Sequence, residues 1–218
     1  KQAGYHAPNK MQKKNFSIEL HPLLGLAPTN DPFYTQCLNI VNYTNSTHNE
    51  IITGLNHVFD TKTPEWQSAI FLEALRLKRE TPIENKAALD YYTTHSHQWA
   101  CNLDHLLYLS NPFDGMKRHM PLSIFVAPLL ASIGIPTILH GIKSIGPKYG
   151  ITAHQLLLEA GHNPLKSGET IKKQLENPNI GWSYVDQSIS FPNAFNLKTL
   201  RKNMIKRPFL ATIEKLNP

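Results

Sequence analysis

The stretch Leu129-Leu130-Ala131-Ser132-Ile133-Gly134-Ile135-Pro136-Thr137-Ile138-Leu139-His140-Gly141 decides the fold. An apolar run at helical spacing stops at Gly134, the residue type that most readily takes the left-handed turn closing a helix. Thr137-Ile138-Leu139 then reads as a short buried strand, because β-branched and apolar side chains pack well on a pleated surface. A second helix opens at Thr152-Ala153-His154-Gln155. Helix, strand and helix in this order build a parallel sheet. Ligands of such sheets sit at the carboxyl ends of strands, beside helix N-termini. His140-Gly141 therefore marks the candidate cleft.

Working outward, the chain divides into three parts. Residues 1–18 are polar and basic (Lys10, Lys13, Lys14) and are expected to form a disordered tail. Residues 19–98 read as a helical domain. An apolar segment runs from His21 to Leu26, and short helices are expected at 33–41 and 50–59. Thr63-Pro64-Glu65-Trp66 starts a helix reaching Lys78, with Thr63 as N-cap and Pro64 at the first helical position. Thr81-Pro82-Ile83-Glu84 starts another, reaching Tyr91-Tyr92. Residues 99–218 read as α/β: a strand within Leu103–Leu109, a helix over 122–133, the strand at 137–139, and helices over 152–160 and 167–175. A strand over 181–185 and a helix over 197–206 complete it. The expected class is α/β, a small N-terminal helical domain followed by a mostly parallel sheet flanked by helices.

Composition narrows the function only a little. Hydrophobic residues make up 41% of the 218 and charged residues 17%, which supports a packed core. The net charge of +6 suits a polyanionic partner, nucleic acid or phosphorylated metabolite, but Lys and Arg never run five together. Two cysteines, Cys37 and Cys101, make neither a disulfide framework nor a CxxC metal motif. His95 and His97 form an HxH pair without an evident third zinc ligand. No apolar run approaches the ~18 residues of a membrane span. Cytoplasm is the expected compartment. The chain opens on Lys1, so a removed targeting segment, with an organellar stroma or matrix as the compartment, is the alternative expectation. Two sequons in the Asn42–Thr47 loop read as chance matches.

Four groups of residues could carry chemistry. Asn111-Pro112-Phe113-Asp114-Gly115-Met116-Lys117-Arg118 joins a strand to a helix. Backbone amides there, with Lys117, Arg118 and His119, suit phosphate; Asp114-Gly115 is equally an ordinary turn. His140-Gly141 offers a hydrogen-bonding ring beside a residue that permits close approach, or a satisfied histidine at a strand end. Lys143, Lys148 and Gly150 lie in the next loop, where Lys148 is either an anion ligand or a solvated charge. Arg201 and Arg207 flank the last helix, and one of them could hold a carboxylate through a bidentate pair.

Taken together these segments resemble the anthranilate phosphoribosyltransferase family, whose fold is shared with pyrimidine nucleoside phosphorylases. The similarity runs from Ile51 to Pro218. It is carried by the helical stretch Thr63–Pro82, by Gly134-Ile135-Pro136 through His140-Gly141, and by Leu200-Arg201 to Lys206-Arg207-Pro208-Phe209 with the closing Leu216-Asn217-Pro218. The resemblance implies transfer of phosphoribose from phosphoribosyl pyrophosphate to an aromatic carboxylate-bearing amine, in tryptophan biosynthesis. It implies Asn111, Asp114, Gly115, Lys117 and Arg118 at the phosphoribosyl pyrophosphate, and His140, Gly141, Lys148 and Arg201 at the acceptor. No catalytic residue is assigned. Magnesium is implied, with its Asp-Glu ligands expected beyond Pro218, in a chain of about 330 residues. A homodimer through the helical domain is implied as well.

The sequence also departs from the family. Where the family carries Gly-Thr-Gly-Gly-Asp-Gly, this chain has Ser110-Asn111-Pro112-Phe113-Asp114-Gly115. Pro112 brings no amide proton and Phe113 is bulky, which compromises a backbone cradle. The family's Asn-x-Ser-Thr segment is replaced near Met120-Pro121-Leu122-Ser123, and the loop after His140-Gly141 becomes Ile142–Gly150. Asn111–Gly115 and Pro147–Gly150 are most similar to a divergent anthranilate phosphoribosyltransferase-like branch, of which one related group binds nucleic acid. A non-catalytic nucleic-acid-binding protein is thus the second expectation, and a nucleoside phosphorylase the third.

Overall fold

A computed structural model describes residues 31–216. The expected tail over 1–18, the apolar segment from His21 to Leu26 and the final Asn217-Pro218 step lie outside the described residues.

Four helices come first: α1 (Pro32–Val41), α2 (His48–Phe59), α3 (Glu65–Lys78) and α4 (Pro82–His95). Their starts follow from local chemistry. Thr47 with Glu50, and Thr81 with Glu84, form reciprocal capping boxes that satisfy amides no helical carbonyl can reach. Glu84 does more: fully buried, it accepts from the amides of Thr81 and Ser46 and from Lys78 Nζ at 2.9 Å. The third helix begins one residue later than expected. Pro64 is its cap and no side chain closes it, because the chain stays extended at Pro64 and Thr63 falls outside the cap position.

The sheet is wholly parallel, ordered β1 (Leu107–Ser110), β2 (Thr137–Gly141), β3 (Trp182–Asp186). Helix α5 (Ser123–Ser132) joins β1 to β2; α6 (Ala153–Glu159) and α7 (Gly168–Glu176) join β2 to β3. The decisive stretch folds as its residues dictate. Gly134 takes φ +84, its amide reaches Ala131 O and the Ile135 amide reaches Leu130 O, the paired bonds of a Schellman stop. Gly161, at φ +78, closes α6 in the same way.

Alternation along the strands then sorts two small cores. Leu139 and Tyr184 pack on Ile124, Ala127, Ala153 and Leu157, while Ile138 and Val185 pack on Ile171 and Leu175. The central strand β2 is buried on both faces throughout.

The tail of the chain shares a core with the first four helices. After β3 come α8 (Gln187–Ser190), α9 (Pro192–Asn196), α10 (Lys198–Asn203) and α11 (Leu210–Ile213). Phe191, Leu200, Met204, Phe209 and Ile213 are buried in the same core as Phe33, Leu55, Phe71 and Tyr92 of the first four helices. Burying such side chains stabilises by roughly 1.5–3 kcal/mol each, so the chain returns to the helical body after making the sheet.

Candidate functional site

Ser110 and His140 stand in register at the carboxyl ends of β1 and β2, and Gly141 pairs with Asp186 of β3. Two loops leave these ends, 111–122 and 142–152, and they are fastened to each other. Met116 and Ile151 exchange both backbone hydrogen bonds at 2.9 Å, and the Gly150 amide donates to Asp114 O at 2.9 Å. The crossing requires two glycines. A Cβ on Gly115 would lie 2.4 Å from Gly150 C, and one on Gly150 would lie 2.6 Å from Met116 N. Gly115 also sits at φ +76, where side chains are disfavoured.

This fastening decides what the loop can bind. The Gly115 amide donates to Pro112 O and the Met116 amide to Ile151 O, both at 2.9 Å. Amides that a phosphate cradle would aim outward are turned inward instead. Asn111 joins Ser123 Oγ through its side-chain amide, bridging the loop to the start of α5.

Phe113 is buried and meets the His140 ring edge-to-face at 5.2 Å; Tyr108 meets the same ring at 5.1 Å from β1. His140, 3% exposed, is a packed wall of the cleft rather than an open ligand. Gly141 backs onto Tyr184, whose hydroxyl would lie 3.3 Å from an added Cβ.

Asp114 and the two flanking arginines are all paired. Asp114 is buried and gripped by Arg207, the guanidinium donating to both carboxylate oxygens at 2.7 and 2.8 Å. Of the two flanking arginines, then, Arg207 is the one that reaches the strand-end loop. Arg201, expected at an acceptor carboxylate, is 3% exposed and bonded to Glu214 at 2.6 and 3.2 Å. Burial pushes the Glu214 carboxyl above its ordinary value despite Arg201. Lys117, Arg118, His119 and Lys143 are exposed and Lys148 is half-buried, all on the two crossing loops.

A cluster that sequence reasoning missed lies at the end of β3. Asp186 accepts from His154 Nδ1 at 2.7 Å, Tyr184 Oη at 3.2 Å, and both Ser188 Oγ and its amide at 2.6 and 2.9 Å. Burial pushes its carboxyl up, but the bonds from His154 and Ser188 outweigh burial and hold it below the usual value. The readable signal was Asp186-Gln187-Ser188 directly after a strand, an acidic N-cap for α8.

No three His, Cys, Asp or Glu converge as a metal site among the described residues. Asp114, in the loop after β1, is occupied by Arg207. The Asp-Glu pair that the resemblance implies for magnesium is expected beyond Pro218, outside the described residues.

A helical body packed against a parallel α/β sheet, with loops crossing at the strand ends, defines a fold of the phosphoribosyltransferase-like class. More narrowly, it is the fold of anthranilate phosphoribosyltransferase. The enzyme (TrpD) from Thermus thermophilus is similar with a TM-score of 0.69 at 17% identity, over 84% of this chain and 54% of that one. A variant from Saccharomyces cerevisiae in complex with 4-fluoroanthranilate is similar with a TM-score of 0.57 at 16% identity, over 82% and 47%. The chain thus spans about half the length of these structures. No family model and no curated protein matches the sequence. Among the described residues no helix is long and apolar enough to cross a membrane.

Proposed function

We propose that this chain belongs to a phosphoribosyltransferase-type protein whose strand-end cleft binds phosphoribosyl pyrophosphate for transfer to an aromatic, carboxylate-bearing amine. The observation that carries the reading is the loop crossing at Gly115 and Gly150, which joins the loop carrying Lys117, Arg118 and His119 to the loop carrying Lys148, both leaving the carboxyl ends of strands. In the reaction the amine attacks the anomeric carbon of ribose as pyrophosphate leaves. Chemistry of this kind asks the protein mainly for position and for positive charge against the leaving group.

On this reading Lys117, Arg118 and Lys148 offset the pyrophosphate charge from the side, in place of an outward-facing backbone cradle. His140 and Gly141 form the floor on which the acceptor rests. Arg201 has no part in it, since Glu214 holds its guanidinium. Incubation of the protein with phosphoribosyl pyrophosphate, magnesium and anthranilate, followed by pyrophosphate release, is the test. Turnover that falls at least tenfold in Lys117→Gln/Arg118→Gln supports the assignment; absence of both binding and turnover removes it. Dimerisation through the helical body belongs to the same reading and is measured by sedimentation velocity.

One observation favours a second reading, a non-catalytic nucleic-acid-binding protein. Lys117, Arg118 and Lys143 are exposed, without an ion pair at 4 Å or less among the described residues, on a chain of net charge +6. With Lys148 they could release up to four counterions, giving a log–log salt slope of about −3 to −4. Oligonucleotide affinity indifferent to salt rejects this reading.

A further inference from the structure

The face of the sheet that carries Ile138 and Val185 holds a cavity that the strand-end cleft does not use. Its volume is about 240 Å³, and its walls include Trp99, Tyr108, Ile138, Ile171 and Leu175, with Lys172 among the lining residues. We infer that this cavity is a binding site for a planar one- or two-ring aromatic anion, distinct from the phosphoribosyl cleft.

Size comes first. A dry apolar cavity of about 150 Å³ accepts a benzene ring, and drug-sized ligands occupy upwards of about 300 Å³. The volume here lies between the two, which suits one or two fused rings.

The walls are built rather than left over. Trp99 lies directly on Gly168 at the start of α7, so closely that a Cβ there would fall 1.9 Å from the indole Nε1. Only glycine lets the indole settle at that point. The indole and the His97 ring stand edge-to-face, their centroids 6.1 Å apart. Ile171 and Leu175, from successive turns of the same helix, line the cavity too. A largely apolar cavity with an indole in its wall favours an aromatic ring over a branched aliphatic group, because ring edges and faces attract beyond simple area burial.

Polar features set the ligand's charge. The Tyr108 hydroxyl is buried and has no hydrogen-bond partner among the described residues. Such a group is costly to leave unmatched, and an acceptor brought in by a ligand would meet it after a small shift of the ring. Among the described residues Lys172 is the only Lys or Arg lining the cavity. Its nearest carboxylate, Glu176, stands 4.0 Å away and already accepts from the Asn102 amide at 2.6 Å. A cation so loosely held attracts an anionic substituent. Tyr108 also shares an edge-to-face contact with His140, so an occupant would press on one wall of the cleft.

The probe is 2-naphthoate, with 2-naphthamide as its uncharged counterpart. Trp66→Phe/Trp182→Phe leaves Trp99 as the sole indole, and its emission reports occupancy. Saturation-transfer NMR on the natural chain gives a second measure that needs no substitution. The expected result is saturable quenching with a Kd at or below about 1 mM, the range for a ligand of this size. It is weakened at least tenfold by Gly168→Ala, which displaces Trp99, and at least threefold by Lys172→Gln. Far-ultraviolet circular dichroism checks that both variants are folded. Naphthamide is expected to bind more weakly than naphthoate. The inference is overturned if naphthoate fails to saturate up to about 5 mM, several times that limit. It is overturned equally if both variants bind as the natural chain does, or if phosphoribosyl pyrophosphate competes with naphthoate, which would make the two sites one.

Discussion

Arg207 grips Asp114 with two parallel hydrogen bonds, Nε at 2.7 Å and Nη2 at 2.8 Å, across 93 positions of sequence. The pair ties the loop after β1 to the segment between α10 and α11, where the chain has rejoined the helical body. Asp114 is 3% exposed, so removal of the guanidinium leaves a carboxylate with little water to turn to. Losing one partner of a fully buried pair costs about 3–5 kcal/mol, and the 38% exposure of the Arg207 side chain reduces that here. Arg207→Ala is expected to lower stability by about 1–3 kcal/mol, read from the urea midpoint. Arg207→Lys should recover only part, since an ammonium cannot make the fork. An unchanged midpoint in both variants would show that Asp114 does not depend on Arg207.

Gly150 offers a sharper test of the loop crossing. A methyl group there would meet Met116 N at 2.6 Å and Gly115 C at 2.7 Å, both of them backbone atoms that cannot turn aside. Gly150→Ala should force the loops apart and break the Met116–Ile151 bridge. The expected cost is about 1–3 kcal/mol, the usual range for overpacking. Amide exchange at Met116 and Ile151 should accelerate in step with the loss. If those amides keep their protection, the crossing does not depend on glycine.

Much of this arrangement was legible in the sequence, and the parts that were not share a cause. Helix starts at Thr81, Thr152 and Ser167, and stops at Gly134 and Gly161, depend on residues within four positions of each other. The parallel order of β1, β2 and β3 was legible from the alternation of strands with helices. The likeness in fold to anthranilate phosphoribosyltransferase was legible too, through short segments in the right order. What pairs with an arginine was not. Arg201 finds Glu214 only because α11 folds back beside it, and Arg207 finds Asp114 only once the chain has returned to the helical body. That return itself was hidden, since Phe191 to Ile213 carry no local mark of which core they join. Phe113 could be seen to obstruct a phosphate cradle; that it would be buried against His140 could not.

Acid should expose two opposing carboxylates. Burial raises the Asp186 carboxyl, but bonds from His154 and Ser188 prevail and set it below the ordinary Asp value of 3.8. A folded-state pKa below the unfolded one means stability that is full above 3.8 and lost as pH falls through the folded value. Glu214 runs the other way. Burial lifts it above the ordinary 4.5, so stability is gained as pH falls from the folded value towards 4.5. Asp186→Asn should therefore flatten the loss of stability below pH 3.8, and Glu214→Gln should remove the compensating gain above 4.5. Thermal melts at half-unit steps of pH measure both slopes. Parallel curves for the natural chain and Asp186→Asn would contradict the sign assigned to Asp186.

Arg201 allows structural and ligand-binding roles to be separated outright. Its guanidinium and the Glu214 carboxylate are 3% and 2% exposed and bonded at 2.6 and 3.2 Å, inside a core that also holds Tyr92 and Phe209. Two charges taken out of water recover that cost only from each other. Arg201→Met alone strands the carboxylate and should destabilise by about 3–5 kcal/mol, while Arg201→Met/Glu214→Leu removes both charges and should return most of that loss. A residue that served only to hold an acceptor's carboxylate would behave differently. Its replacement would leave the urea midpoint within about 0.5 kcal/mol of the natural chain, as substitutions away from buried networks usually do, and the second substitution would rescue nothing. A double-mutant cycle on the urea midpoints distinguishes the two. A coupling energy above about 2 kcal/mol assigns Arg201 to the core, whereas additivity would return it to the cleft.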